Sequence, residues 1–259
     1  MLSFTIIRGT PEPLVLREVA ATPIPSTFSD STGLVSPLHA PNGDFSSIYG
    51  VCSATTLELL SDMHHLTQTY LARWRFVSDL DPASNAQVAS CDAQLQETYA
   101  RLLRRSPAEN DTMPDWVYES CRLTALIYCR SIVHGTSLAD SAQTIHAQNT
   151  RITLLSALHA AMMQTDSRNC WGDMRGVFLW VCLVGGAASW PPSRRPSVEL
   201  GGELSPAQAW ARKCFALHAL RTAVSVPFDQ AGTMVEGLRT MLQVRHWLDL
   251  DNGATTGGA

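Results

Sequence analysis

The residues able to do chemistry in this 259-residue chain are few and scattered. His64-His65 is the only adjacent pair of histidines. A helical metal site uses histidines four apart with a carboxylate nearby, whereas neighbours on a helix point about 100° from each other. The pair is therefore expected to set one ring toward the core and one toward solvent. His134, His146, His159, His218 and His246 stand alone. The seven cysteines, Cys52, Cys91, Cys121, Cys129, Cys170, Cys182 and Cys214, are odd in number and form no Cys-x-x-Cys pair. That suits neither a disulfide framework nor a zinc site and predicts reduced, mainly buried thiols. Cys121 and Cys129 are spaced as core residues of one helix. No nucleophile elbow, phosphate loop or dinucleotide fingerprint is present. The expectation is no catalytic residue, no metal ligand and no cofactor.

One cluster stands apart. Cys170-Trp171-Gly172-Asp173 is a polar, glycine-containing turn that feeds an apolar helical run ending in Gly185-Gly186-Ala187-Ala188. Asp173 stands where its carboxylate would cap the following helix. Trp171 and Trp180 either stack in the core or line a ligand pocket. Cys170, Trp171, Asp173 and Trp180 are the candidate pocket residues. Gly185-Gly186 reads as a helix end or a close-packing point.

Positioning such a cluster takes a body with a sizeable core, which a chain of this length can build. Hydrophobic residues make up 45% and charged residues 16%, so the polar faces are thin and room is left for an exposed apolar face meant for a partner. The net charge of −4 gives no basic excess to hold a phosphate backbone, so no DNA-binding residue is assigned. The short basic groups around Arg101, Arg104 and Arg105, and Arg194-Arg195, read as solvated surface or partners of helix dipoles. The most apolar run, 177–188, is far below the roughly 20 residues that span a bilayer. The first 13 residues lack the order of a signal peptide. The chain reads as soluble and intracellular, with no membrane contact.

The elements follow from periodicity. Residues 1–50 are rich in Pro, Ser, Thr and Gly and predict an irregular segment draped over the body. Residues 51–250 predict a helical domain. Apolar positions from Leu57 through Leu60, Met63, Thr67, Tyr70 and Trp74 recur at three and four and define a first helix. A second runs from about Ser84 to Arg105. Thr112-Met113-Pro114-Asp115 has capping-box spacing before a helix over 115–134, and Gly135 stands at its left-handed C-cap. Ser137-Leu138-Ala139-Asp140 opens a helical region to about Thr165, interrupted near Asn149-Thr150. Ser205-Pro206 starts a helix to about Val224. The last helix is expected over 229–248, with 251–259 a flexible tail. No strand pattern is apparent. The fold class is all-α, with about seven to nine antiparallel-packed helices.

Three stretches resemble a known family. They are Trp116-Val117-Tyr118-Glu119-Ser120-Cys121-Arg122-Leu123-Thr124-Ala125-Leu126-Ile127-Tyr128, Asn169-Cys170-Trp171-Gly172-Asp173-Met174 through Ala188, and Met241-Leu242-Gln243-Val244-Arg245-His246-Trp247-Leu248. In order and spacing they look like the regulatory region of fungal binuclear zinc-cluster transcription factors, the fungal-specific transcription factor domain. Phe4-Thr5-Ile6-Ile7-Arg8-Gly9 looks like the Arg-Gly stretch upstream in that family. The resemblance implies an all-α regulatory or effector domain, nuclear localisation and control of transcription, often of metabolic gene clusters, with no catalytic residues. It implies co-regulator proteins or a DNA-binding partner, a small-molecule effector, and room for a homodimer. The family's six-cysteine zinc module is not among these residues, so any DNA contact is expected through residues outside this sequence or through a partner. The alternative is a stand-alone helical module that binds a small molecule or a protein without touching DNA.

Overall fold

A computed structural model describes residues 34–78, 82–108, 113–147, 152–190 and 206–256. Eight helices are arranged as α1 (Ala54–Ser78), α2 (Pro82–Leu103), α3 (Trp116–His134), α4 (Leu138–Ala142), α5 (Leu154–Met163), α6 (Arg175–Ala188), α7 (Pro206–Ser225) and α8 (Ala231–Thr256). The fold is all-α, as the periodicity predicts. No helix among the described residues is long and apolar enough to cross a membrane.

The local signals explain most of the boundaries. Ser53 accepts a hydrogen bond from the Thr56 amide and opens α1. Leu60, Met63, Thr67 and Tyr70 are buried on the predicted face. Pro82 occupies the first position of α2, where its missing N–H costs nothing. The cap of α3 is Asp115, which accepts from the Tyr118 amide at 2.9 Å. Thr112 and Ser205 lie outside the described residues. Gly135 takes the left-handed conformation (φ 59°) that ends α3. Ser137 caps α4 through the Asp140 amide at 3.0 Å, and its hydroxyl donates to the Asp140 carboxylate at 2.7 Å.

Three expectations need correction. The region after Ser137 is not continuous helix: α4 stops after one turn, and a small antiparallel hairpin follows, β1 (Ile145–Ala147) with β2 (Ile152–Thr153). No strand was expected there because two or three residues are too few to show alternation. The last helix does not stop at 248. Helix α8 continues to Thr256, held where the Tyr70 hydroxyl donates to Asp251 at 3.3 Å. Arg105 is not a solvated cation. It and Arg101 both pair with Asp62 of α1, at 2.8 and 2.9 Å, and fasten the end of α2 to α1. Arg101 and Arg104 are exposed as expected, and Arg104 also donates to the Ala100 carbonyl near the end of α2 at 3.1 Å.

The hub is α3, which packs against α1, α2, α4, α5 and α6. It is buried almost all round, so its polar groups are satisfied internally. Ser120, Thr124 and Ser131 return hydrogen bonds to carbonyls one turn back. Glu119 accepts two hydrogen bonds from Arg122, at 2.8 and 2.7 Å, and a third from the Ala108 amide at 3.0 Å. Burial works to raise the Glu119 carboxyl, but the Arg122 hydrogen bonds and charge outweigh it and hold the group below its ordinary value. Both residues belong to the first family-like stretch. In the third, Met241, Val244 and Leu248 are buried, and Trp247 stacks on Trp74 of α1 with ring centres 4.4 Å apart.

Residues 34–50 are irregular and drape over the body, as composition predicts, but they also build its core. Leu34, Val35, Leu38, Phe45 and Ile48 are buried. They can approach because α6 carries Gly176, where a Cβ would stand 2.5 Å from the Val35 carbonyl oxygen. Gly185 plays the same part on α6 toward α7: a Cβ there would meet the buried Phe215 ring at 2.5 Å. It is a close-packing point rather than a helix end.

Candidate functional site

The turn before α6 is the most unusual backbone in the described residues. After a short 3-10 turn at Ser167–Asn169, Cys170 (φ 48°) and Trp171 (φ 59°) are both left-handed, and Gly172 (φ 59°) follows in the same region. For residues with a Cβ this costs about 1–2 kcal/mol each. It holds because the surrounding structure over-determines it. Cys170 is buried. The Trp171 indole donates to the Thr165 hydroxyl at 2.9 Å, and its ring lies against Phe178 with centroids 5.0 Å apart.

This turn forms one wall of a cleft of about 460 Å³. That is within the size range of small-molecule sites. Trp171, Gly172 and Asp173 come from the turn, Asp166 and Asn169 from the chain just before it, and Cys52 and Asp115 from the starts of α1 and α3. The lining holds three carboxylates and no basic side chain. Asp115 is committed to structure, since it caps α3 and accepts from Ser53 at 3.2 Å. Asp173 is exposed and makes no cap to α6, contrary to expectation. Helix α6 grows directly out of a 3-10 turn, so its first amides are not presented to a side chain from outside.

Burial, and then the nearby Asp115 charge, push the Cys52 thiol above its ordinary value, so it is not poised as a thiolate. No histidine lines the cleft to take its proton. Among the described residues no three of His, Cys, Asp and Glu converge as a metal site. Elsewhere His64 is half-buried with its Nδ1 3.2 Å from the Pro37 carbonyl, while His65 is exposed, the split expected of adjacent rings.

Of the four candidate residues, two meet at the cleft, Trp171 and Asp173. Cys170 lies buried in the same turn and is absent from the cleft lining. Trp180 belongs to the core: it is fully buried, edge-on to Tyr128 with centroids 6.1 Å apart. Cys52, Ser53, Asp115, Asp166 and Asn169 were not in the sequence-derived set. They reach the cleft from three separate segments, and no spacing rule links them. The one available signal was Gly50, a left-handed glycine (φ 85°) that bends the chain into the cleft wall ahead of Cys52. Comparisons with models of known families, with curated proteins and with solved structures give no match for this chain.

Proposed function

We propose that this chain is the regulatory, effector-binding part of a nuclear transcription regulator of the fungal zinc-cluster type, acting on a metabolic gene cluster. The observation that supports the reading is the double use of residues 170–188. The helical part is the centre of the core, while the strained turn in front of it spends conformational energy to hold Trp171 and Asp173 at the cleft. Strain of that kind is retained where a site needs it. The acidic, aromatic-edged lining suits a small effector that is cationic or rich in donors. The domain is read as a binder because its cleft holds an un-ionised thiol with no histidine beside it, and carboxylates placed to meet a cation. DNA contact then falls to residues outside this sequence or to a partner protein, and the helical body contacts co-regulators.

The test is a fusion of the full chain to a neutral DNA-binding domain in a fungal reporter strain. The expected result is a change in reporter output that Trp171→Ala or Asp173→Asn abolishes while the fusion stays folded. An output equal to that of the bare DNA-binding domain would sink the reading. The cleft itself favours one second reading, a small-molecule-binding module with no link to transcription. That reading expects an inert fusion together with an effector-dependent rise in melting temperature that Asp173→Asn removes.

A further inference from the structure

Helix α7 is built the wrong way round for a helix on the surface of a monomer. Its buried residues are Ala211, Phe215, Ala219 and Thr222, mostly small. Its outward residues are larger: Trp210 is 60% exposed, Leu217 66%, Leu220 58% and Val224 78%. At 100° per residue these four fall within an arc of about 100° opposite the buried side. An amphipathic helix puts a stripe of that width against its core. Here the stripe faces away from it, and the packing of α7 on α5 and α6 leaves it open. Exposed large side chains in register along a helix mark a contact surface.

The charges on the same face say what the contact would be. Helix α7 contains no Asp or Glu, while the exposed Lys213, the only lysine of the chain, and the exposed Arg221 lie within the apolar arc. Arg212 is already used, its guanidinium 4.5 Å over the Trp190 ring. A second copy of α7 is a poor partner. Antiparallel pairing centred on Leu217 sets Lys213 against Arg221, and parallel pairing sets each cation against itself, and like charges across an interface are costly. An anionic membrane is also a poor match. Two cations supply only about 2 kcal/mol of surface attraction, and the helix is held to the body along its opposite side.

We propose that α7 is a docking surface for an acidic amphipathic helix of another protein, whose Leu or Phe side chains at i, i+3 or i+4, and i+7 pack on Trp210, Leu217, Leu220 and Val224 while its carboxylates meet Lys213 and Arg221. This is helix-on-helix recognition with charge selecting the partner. It holds whether or not the domain acts in transcription.

The experiment uses the full chain and a fluorescein-labelled 20-residue peptide with leucines at those spacings and Glu or Asp between them, followed by fluorescence anisotropy. Saturable binding is expected, with a blue shift of indole emission from Trp210. Leu217→Asp should weaken binding by about tenfold or more. Lys213→Glu with Arg221→Glu should weaken it at low salt and restore it toward the same peptide carrying Lys in place of its acidic residues. Each variant should keep the parent melting temperature; if Leu217→Asp unfolds, Leu220→Gln carries the same comparison. The proposal is overturned by equal binding of acidic and lysine-bearing peptides, or by no saturable binding. It is equally overturned if Leu217→Asp dissociates a dimer, or if phosphatidylserine vesicles bind the chain and the acidic peptide does not.

Discussion

Helices α6 and α7 pack on each other, and both carry large apolar side chains on more than one face, yet they solve opposite problems. Every residue of α6 from Gly176 to Ala188 is buried. Helix α7 packs on it, meets Gly185 with the Phe215 ring, and turns Trp210, Leu217 and Leu220 to solvent. A uniformly apolar helix is normally an interior one. The difference therefore lies in the company each helix keeps. Helix α6 is enclosed by α3, α4, α5, α7 and residues 34–38, whereas α7, among the described residues, packs along one side on α5 and α6.

The sharpest break in that comparison is Trp180→Ala. It removes a fully buried indole from the contact between α6 and Tyr128 of α3, and about 3–5 kcal/mol of stability should be lost in denaturant unfolding. Glu119→Gln attacks the floor on which α6 rests, leaving the buried Arg122 without its anion, and should cost about 3 kcal/mol near neutral pH. The sign of its pH dependence follows from the lowered carboxyl. In the parent the contribution is complete above the ordinary value of 4.5 and is lost as pH falls through the folded-state value. Parent and variant melting temperatures should converge on acidification, and a gap that persists at acid pH would rule out the ion pair as the cause.

Gly185→Val tests the seam between the two helices. The added carbons cannot fit against Phe215, so a loss of about 1–3 kcal/mol is expected by thermal unfolding. An unchanged melting point would mean that α7 can move off α6 freely. The smallest effect belongs to the outer face of α7. Leu217→Gln should change stability by no more than about 0.5 kcal/mol, because that side chain is two-thirds exposed. A large loss there would show that the chain itself covers the stripe.

Much of the helical framework was legible because its signals are local. Ser137 and Gly135 act at the positions where their types predict, since a cap is satisfied within one turn, while Asp115 is itself the cap of α3 and not the third position of a box opened by Thr112. The inward face of α1 followed from spacing alone. The hairpin was not legible, because its pairing gives too few residues a period. The cleft was half legible. Its Trp171 and Asp173 stood in a conspicuous run, but Cys52, Asp115 and Asp166 join them only through chain crossings that no local pattern encodes. The role expected of Asp173 failed for a related reason: capping requires the backbone to present free amides, and the left-handed turn sends the chain into α6 another way.

What the amino-acid sequence determined by itself is the helical class, most helix starts and stops, and the cysteines' lack of disulfide or close-pair spacing. Each of these depends on interactions spanning a few residues. What only the tertiary structure decided is which apolar surface is inside. The run 176–188 carries no charge, whereas the run 209–224 sets Arg212, Lys213 and Arg221 among its apolar residues, and which face of the latter lies inside depends on what else arrives in space. The glycines at 176 and 185 admit their neighbours to van der Waals contact, and nothing among the described residues arrives to cover the far side of α7.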